Sequence, residues 1–99
     1  MNDSELLELT AKAAYLKFEW WVENDRSIYR ESDGHPVYWN PLTDDGDALR
    51  LAVKCKIFRC HMDLFHRFYE EAIADGADED RATRRAIVRA AAEIGKAMK

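Results

Sequence analysis

Little in this chain could staple, anchor or interrupt it. Only two of its 99 residues are cysteine, Cys55 and Cys60. That is too few for the disulfide framework of a small secreted domain, so both thiols are expected reduced. Four glycines and two prolines leave no linker and no low-complexity tract, and no internal repeat is present. No apolar run approaches the ~20 residues needed to cross a bilayer, so no membrane partner is expected. The start, Met1-Asn2-Asp3-Ser4-Glu5, is acidic and lacks the basic and apolar regions of a secretory signal, which points to the cytoplasm. A glycine-rich phosphate loop, a nucleophile elbow and a persuasively spaced Cys/His pair are all missing. No catalytic residue and no cofactor is therefore assigned, and the chain is not read as an enzyme.

What is present is a soluble globular composition, 47% hydrophobic and 34% charged, in a single domain spanning 1–99. Charge is unevenly spread. Residues 81–99 carry a net +5 against a total of −4, so the preceding 80 residues carry −9.

The most informative stretch is Trp39-Asn40-Pro41-Leu42-Thr43-Asp44-Asp45-Gly46-Asp47. Pro41 fixes its own φ and biases Asn40 toward extended geometry, so a strand should end here. Thr43, Asp44 and Asp45 are all competent N-caps for the helix that follows. Asp44, Asp45 and Asp47 crowd a first turn whose free N–H groups favour negative charge. Leu49, Ala52 and Val53 repeat at helical spacing, which predicts a short amphipathic helix through about Lys54. The Trp39 indole is the natural lid on the core beneath that turn.

Elsewhere, a first helix begins near Asp3 or Ser4, with Leu6, Leu9, Ala13 and Leu16 on one face. Phe18, Trp20 and Val22 alternate with polar or opposite-facing neighbours, the period of a strand. Asn24-Asp25-Arg26 reads as a turn into a strand over Ser27–Arg30, and Glu31–His35 as a loop. Phe58, Cys60 and Met62 alternate and predict a strand from about Ile57 to Met62. Between Leu64 and Ala72 the pattern leaves two readings open. Leu64, Phe65, Phe68, Tyr69 and Ala72 have helical spacing, yet a strand over Phe65–Tyr69 would complete a hairpin. The last helix, capped by Asp78 or Asp80, carries a stripe of Thr83, Ala86, Ile87, Ala90, Ala91, Ile94 and Met98.

Two blocks carry a family resemblance. The first runs Tyr38-Trp39-Asn40-Pro41-Leu42-Thr43-Asp44-Asp45-Gly46-Asp47-Ala48-Leu49-Arg50-Leu51-Ala52-Val53-Lys54, and the second Ala82-Thr83-Arg84-Arg85-Ala86-Ile87-Val88-Arg89-Ala90-Ala91-Ala92-Glu93-Ile94-Gly95. With Leu6–Leu9 and Ala11–Ala14 they resemble the phage ABA-sandwich domain of small bacteriophage and prophage proteins, akin to the NinX-type proteins. The resemblance implies a phage or prophage origin, a bacterial host and no established activity. It also favours a hairpin across Cys55–Ala74. Where that family often has a glycine after the first helix, this chain has Ala14-Tyr15, so that helix is expected to run longer. The expected fold is accordingly α+β, a layered α/β sandwich. A small, mainly antiparallel sheet is covered by three helices in the order α-β-β-(β)-α-β-β-α.

Each candidate site has a plain structural alternative. Three carboxylates within four residues could gather a hard cation, but the alternating acids and distal Glu of a calcium loop are missing, and capping explains all three. Cys55, Cys60, His61 and His66 are zinc-ligand types at poor spacing, since residues 55 and 60 of an extended segment face opposite sides. No metal is assigned. Adjacent Trp20 and Trp21 must face opposite sides of a strand, so Trp21 is a candidate anchor for a partner. Arg81, Arg84, Arg85 and Arg89 form a basic strip on the last helix, expected to pair with the aspartate-rich corner rather than with phosphates. The expected function is accessory, through contact with a host or phage protein or a second copy as a homodimer. Its candidate surface is Trp21, Trp39, Asn40, Arg81, Arg84, Arg85 and Arg89. The alternative is nucleic-acid binding through the same arginines.

Overall fold

The computed structural model describes residues 3–15, 17–21, 26–30 and 36–98, with the strands and Ser4 described by backbone alone. Helix α1 (Asp3–Ala13) opens with Asp3 and Glu5 in its first turn, where the helix dipole favours acids. Three short strands follow: β1 (Lys17–Trp21), β2 (Arg26–Arg30) and β3 (Pro36–Tyr38). They pair antiparallel in chain order as a meander, with Trp21 opposite Arg26 and Ile28 opposite Tyr38. The rest of the chain is helical: α2 (Asp45–Lys54), α3 (Ile57–Cys60), α4 (Met62–Ala74) and α5 (Glu79–Ala97).

The expected α+β sandwich is overturned. Residues 57–69, assigned to a second hairpin, form α3 and the first turns of α4. The helical period prevails because it has a core to face. Phe68 and Ala72 are buried, and Leu64, Phe65 and Tyr69 are half-buried beside them. The competing alternation has no buried side to define it, since Phe58 and Cys60 are both exposed. Among the residues with described side chains, the core is helix against helix, and the meander packs on α1. It is a small helical domain, not a sheet covered by helices. The expected positions of Leu16, Val22, the Asn24–Asp25 turn and the Glu31–His35 loop lie outside the described residues, as do the side chains of Trp20 and Trp21.

Helix ends explain the path. Helix α1 stops at Ala13 instead of running longer, because Tyr15 takes a left-handed φ of 59° and its N–H closes on the Lys12 carbonyl at 3.1 Å. Lys56, with φ 55°, ends α2 in the same way. Its carbonyl then accepts from the N–H groups of Arg59 and Cys60, so one residue closes α2 and opens α3. At the end of α4, Gly76 has φ 96° and donates to the Ile73 carbonyl while Ala77 donates to that of Ala72, a complete Schellman motif. Asp78 then caps α5, its carboxylate accepting from the Arg81 N–H at 2.8 Å.

Helix α5 is the hub, with α1, α2, α3 and α4 all packed on it. The expected stripe is present, with Ala86, Ile87, Ala90 and Ala91 buried and Thr83, Ile94 and Met98 half-buried. Ala82, Val88, Ala92 and Gly95 are buried as well, so the helix is enclosed on more than one side. Small side chains let neighbouring backbones come close. The buried Thr10 hydroxyl of α1 donates to the Val88 carbonyl at 3.0 Å. About two turns further on, Gly95 lies directly against α1. A Cβ added there would overlap the Leu9 carbonyl oxygen and sit 2.9 Å from its carbon. That neighbour is backbone and cannot rotate away.

Gly95→Ala is therefore a test of sign. Helix propensity alone makes alanine better than glycine by up to about 1 kcal/mol. The backbone collision instead predicts a loss of about 3 kcal/mol, read as a lower urea midpoint at unchanged slope.

Candidate interaction surface

The acid-rich corner is built as its residues dictate. The Asn40 carbonyl accepts from the N–H groups of Thr43 and Asp44 at 3.1 and 3.0 Å, and the Asn40 side chain accepts from Leu42 N–H at 3.0 Å. Asp44 caps α2, with extended backbone and a carboxylate accepting from Asp47 N–H at 2.8 Å. Asp47 reaches back to accept from Asn40 N–H at 3.0 Å and holds Arg50 at 2.6 Å. Turn and helix start thus lock each other. Trp39 is buried at 5% exposure over this turn, in the core rather than on the surface.

The arginines of α5 are distributed among its neighbours. Arg84 is the most deeply placed, its side chain only 16% exposed. Its Nε donates to the Leu42 carbonyl at 3.0 Å and its Nη1 to the Asp45 carboxylate at 2.7 Å, tying α5 to the corner. Arg89 donates to Glu71 of α4 at 2.8 Å, with its guanidinium 4.2 Å from the Phe68 ring centroid. Arg85 lies 3.8 Å from Asp3 of α1. Arg81 is exposed, and its backbone N–H donates to Asp78. What reads as one basic strip is a set of three ties to three different helices and one solvent-facing cation. The three corner carboxylates likewise all have protein donors: Asp47 N–H for Asp44, Arg84 for Asp45, and Asn40 N–H with Arg50 for Asp47.

The cysteines differ from one another. Cys55 is buried, and burial pushes its thiol up, opposed more weakly by the Lys54 charge. Cys60 is exposed. No group of three His, Cys, Asp or Glu residues among those described is arranged to hold a metal ion.

The exposed apolar surface lies elsewhere. Leu49 and Val53, one turn apart on α2, are 59% and 69% exposed, and Phe58 on α3 is 45% exposed. The buried side of α2 is instead Ala48, Leu51 and Ala52. Leu49 and Phe58 line a groove of about 200 Å³ with Asp45, Ala48, Asp80, Thr83, Arg84 and Ile87. Beyond it Phe58 meets Phe65 edge-on at 5.1 Å, and Phe65 stacks with Tyr69 at 5.9 Å. Two stripes on α2 fit a helical period, and of the predicted one, Leu49, Ala52 and Val53, only Ala52 faces inward. The available signal was the alanine content of α5, since a hub built of alanines accepts Ala48 and Ala52 closely.

Compared with protein-family models, curated proteins and solved structures, the chain matches none. The phage-family resemblance gains no support from them, and the sandwich it implies is not formed. No helix among the described residues is long and apolar enough to cross a membrane.

If the arginines hold the fold together, Arg84→Ala should cost about 1–2 kcal/mol in chemical denaturation, since it leaves the part-buried Leu42 carbonyl without its donor and removes the tie to Asp45. Arg84→Lys should recover less than half of that, because one ammonium cannot reproduce the fork. An exposed control, Arg81→Ala, should change stability by no more than about 0.5 kcal/mol.

Proposed function

We propose that this chain is a small binding protein that acts through protein–protein contact, using the apolar face of α2 and α3. One observation carries the reading. Leu49 and Phe58 stand exposed along a groove, with Val53 exposed one turn beyond Leu49, while three of the four arginines that could have made an alternative surface face carboxylates of the fold. Exposed apolar side chains scattered singly are ordinary, but a contiguous set beside a concavity marks a contact site. Leu49 and Val53 also come at the i, i+4 spacing by which a helix offers a continuous ridge to a partner.

Nucleic-acid binding through Arg81, Arg84, Arg85 and Arg89 is not favoured by this geometry. Three of the four already face carboxylates, and the acids that hold them would repel phosphate. Trp39 and Asn40 are likewise engaged in the corner itself.

Leu49→Gln together with Val53→Gln tests the reading, since glutamine keeps helix propensity and both sites are exposed. The double variant should keep its helical circular dichroism and stay within about 0.5 kcal/mol of the parent in stability. It should lose the proteins that the parent retains on affinity capture from its source cells. Retention of the same set by the variant, or its loss on Arg81→Glu instead, would defeat the proposal.

A further inference from the structure

The face on α2 and α3 is electrically polar along its length. At the N-terminal end of α2 stand the exposed Asp44 and Asp45, facing Arg50 at 4.0 Å and Arg84 at 2.7 Å respectively, and the exposed Asp80 from the start of α5 lines the same groove as Asp45. At its C-terminal end stands the exposed Lys54, followed by the exposed Lys56 and Arg59. Leu49 and Val53 lie between the two ends, and a helix of ten residues separates them by about 15 Å. Asp80 belongs to the face, because it lines the same groove as Leu49 and Phe58.

Such a pattern selects among partners. A basic segment would suit the acidic end but meet three cations at the other, and an acidic segment or a nucleic acid would meet the reverse. Turned end for end, however, the pattern becomes its own complement. A two-fold axis through the middle of α2 would lay acidic end over basic end and apolar centre over apolar centre. That self-complementarity is what an isologous two-fold interface requires, and such dimers are the commonest oligomers. Electrostatic matching of this kind sets register and suppresses other partners more than it adds affinity.

We propose that the occupant of this face is a second copy of the chain, docked with α2 antiparallel to its counterpart. Leu49 of each copy packs beside Val53 of the other at the centre. Phe58 closes the apolar patch against the partner's groove, and Asp80 faces the partner's Lys54. This inference rests on the protein-contact reading and names its partner.

The test is sedimentation equilibrium of the purified chain from about 1 to 200 μM, at low and high salt, with circular dichroism reporting the fold. The parent should dimerise with increasing concentration and do so several-fold more weakly at high salt. Asp80→Lys alone, or Lys54→Glu alone, places like charges across the axis and should raise the dissociation constant about tenfold. The double variant Asp80→Lys/Lys54→Glu exchanges the two ends and should return to within about threefold of the parent. A chain that stays monomeric at the highest concentration overturns the inference, as does a dimer indifferent to the single changes or not rescued by the double. Failure here is separable from failure of the parent reading. A monomer that still loses its captured partners on Leu49→Gln/Val53→Gln removes the second copy and keeps the binding face.

Discussion

The approach of Gly95 to the carbonyl of Leu9 is the constraint from which the rest of the architecture follows. It lets α1 lie against α5 at backbone contact, close enough for the Thr10 hydroxyl to reach the Val88 carbonyl and the Lys12 ammonium to reach that of Met98 at 2.9 Å. Once α1 occupies that side, the remaining surfaces of α5 take α2, α3 and α4, and they can do so because those surfaces are mostly alanine. A hub with larger side chains would hold its neighbours further away and leave voids that this small core could not fill. Burying a polar hydroxyl at the crossing carries no penalty here because it is bonded, and no buried side-chain N or O among the described residues is left without a partner.

Electrostatics then work on a frame already set by packing. Arg84, Arg85 and Arg89 each join α5 to a different neighbour, and Arg84 does most because it is half-sunk and bonds both a carbonyl and a carboxylate. The exposed pairs add little individually. Their consequence for function is by subtraction. Carboxylates of the corner and cations of the hub are spent on each other, which leaves the outer side of α2 and α3, with Leu49, Val53 and Phe58, as an exposed apolar surface among the described residues.

Several of these features were legible in the sequence. The α2 boundaries followed from the aspartate caps and the run ending at Lys54, and α5 followed from Asp78 and its apolar stripe. Pairing of the arginines with the corner was expected and is realised in Arg84–Asp45. The hairpin expected over 57–69 is helical instead: Phe58, Cys60 and Met62 alternate by chance, the aromatic-rich run from Leu64 to Ala72 satisfies both periods, and the resemblance to a sandwich family favours the strand reading. The break at Lys56 was invisible, since nothing in a lysine announces a left-handed φ. Gly95 was overlooked for a different reason. A glycine inside a helix reads as a propensity cost until the backbone it admits is in place. Of the predicted α2 stripe of Leu49, Ala52 and Val53 only Ala52 is buried, and the inward side is Ala48, Leu51 and Ala52, a neighbouring stripe that fits the helical period equally well.

The most direct measurement is a nuclear Overhauser spectrum of the folded protein with assigned Gly95 and Leu9 protons. An ideal Cβ on Gly95 would lie 3.4 Å from the Leu9 Cα, so the glycine α-protons must be close neighbours of the α1 backbone. The account predicts strong cross-peaks between the Gly95 α-protons and the Leu9 α-proton, across the whole length of the sequence. Their absence in a protein that is otherwise folded, with Gly95 showing contacts only within its own helix, would contradict it.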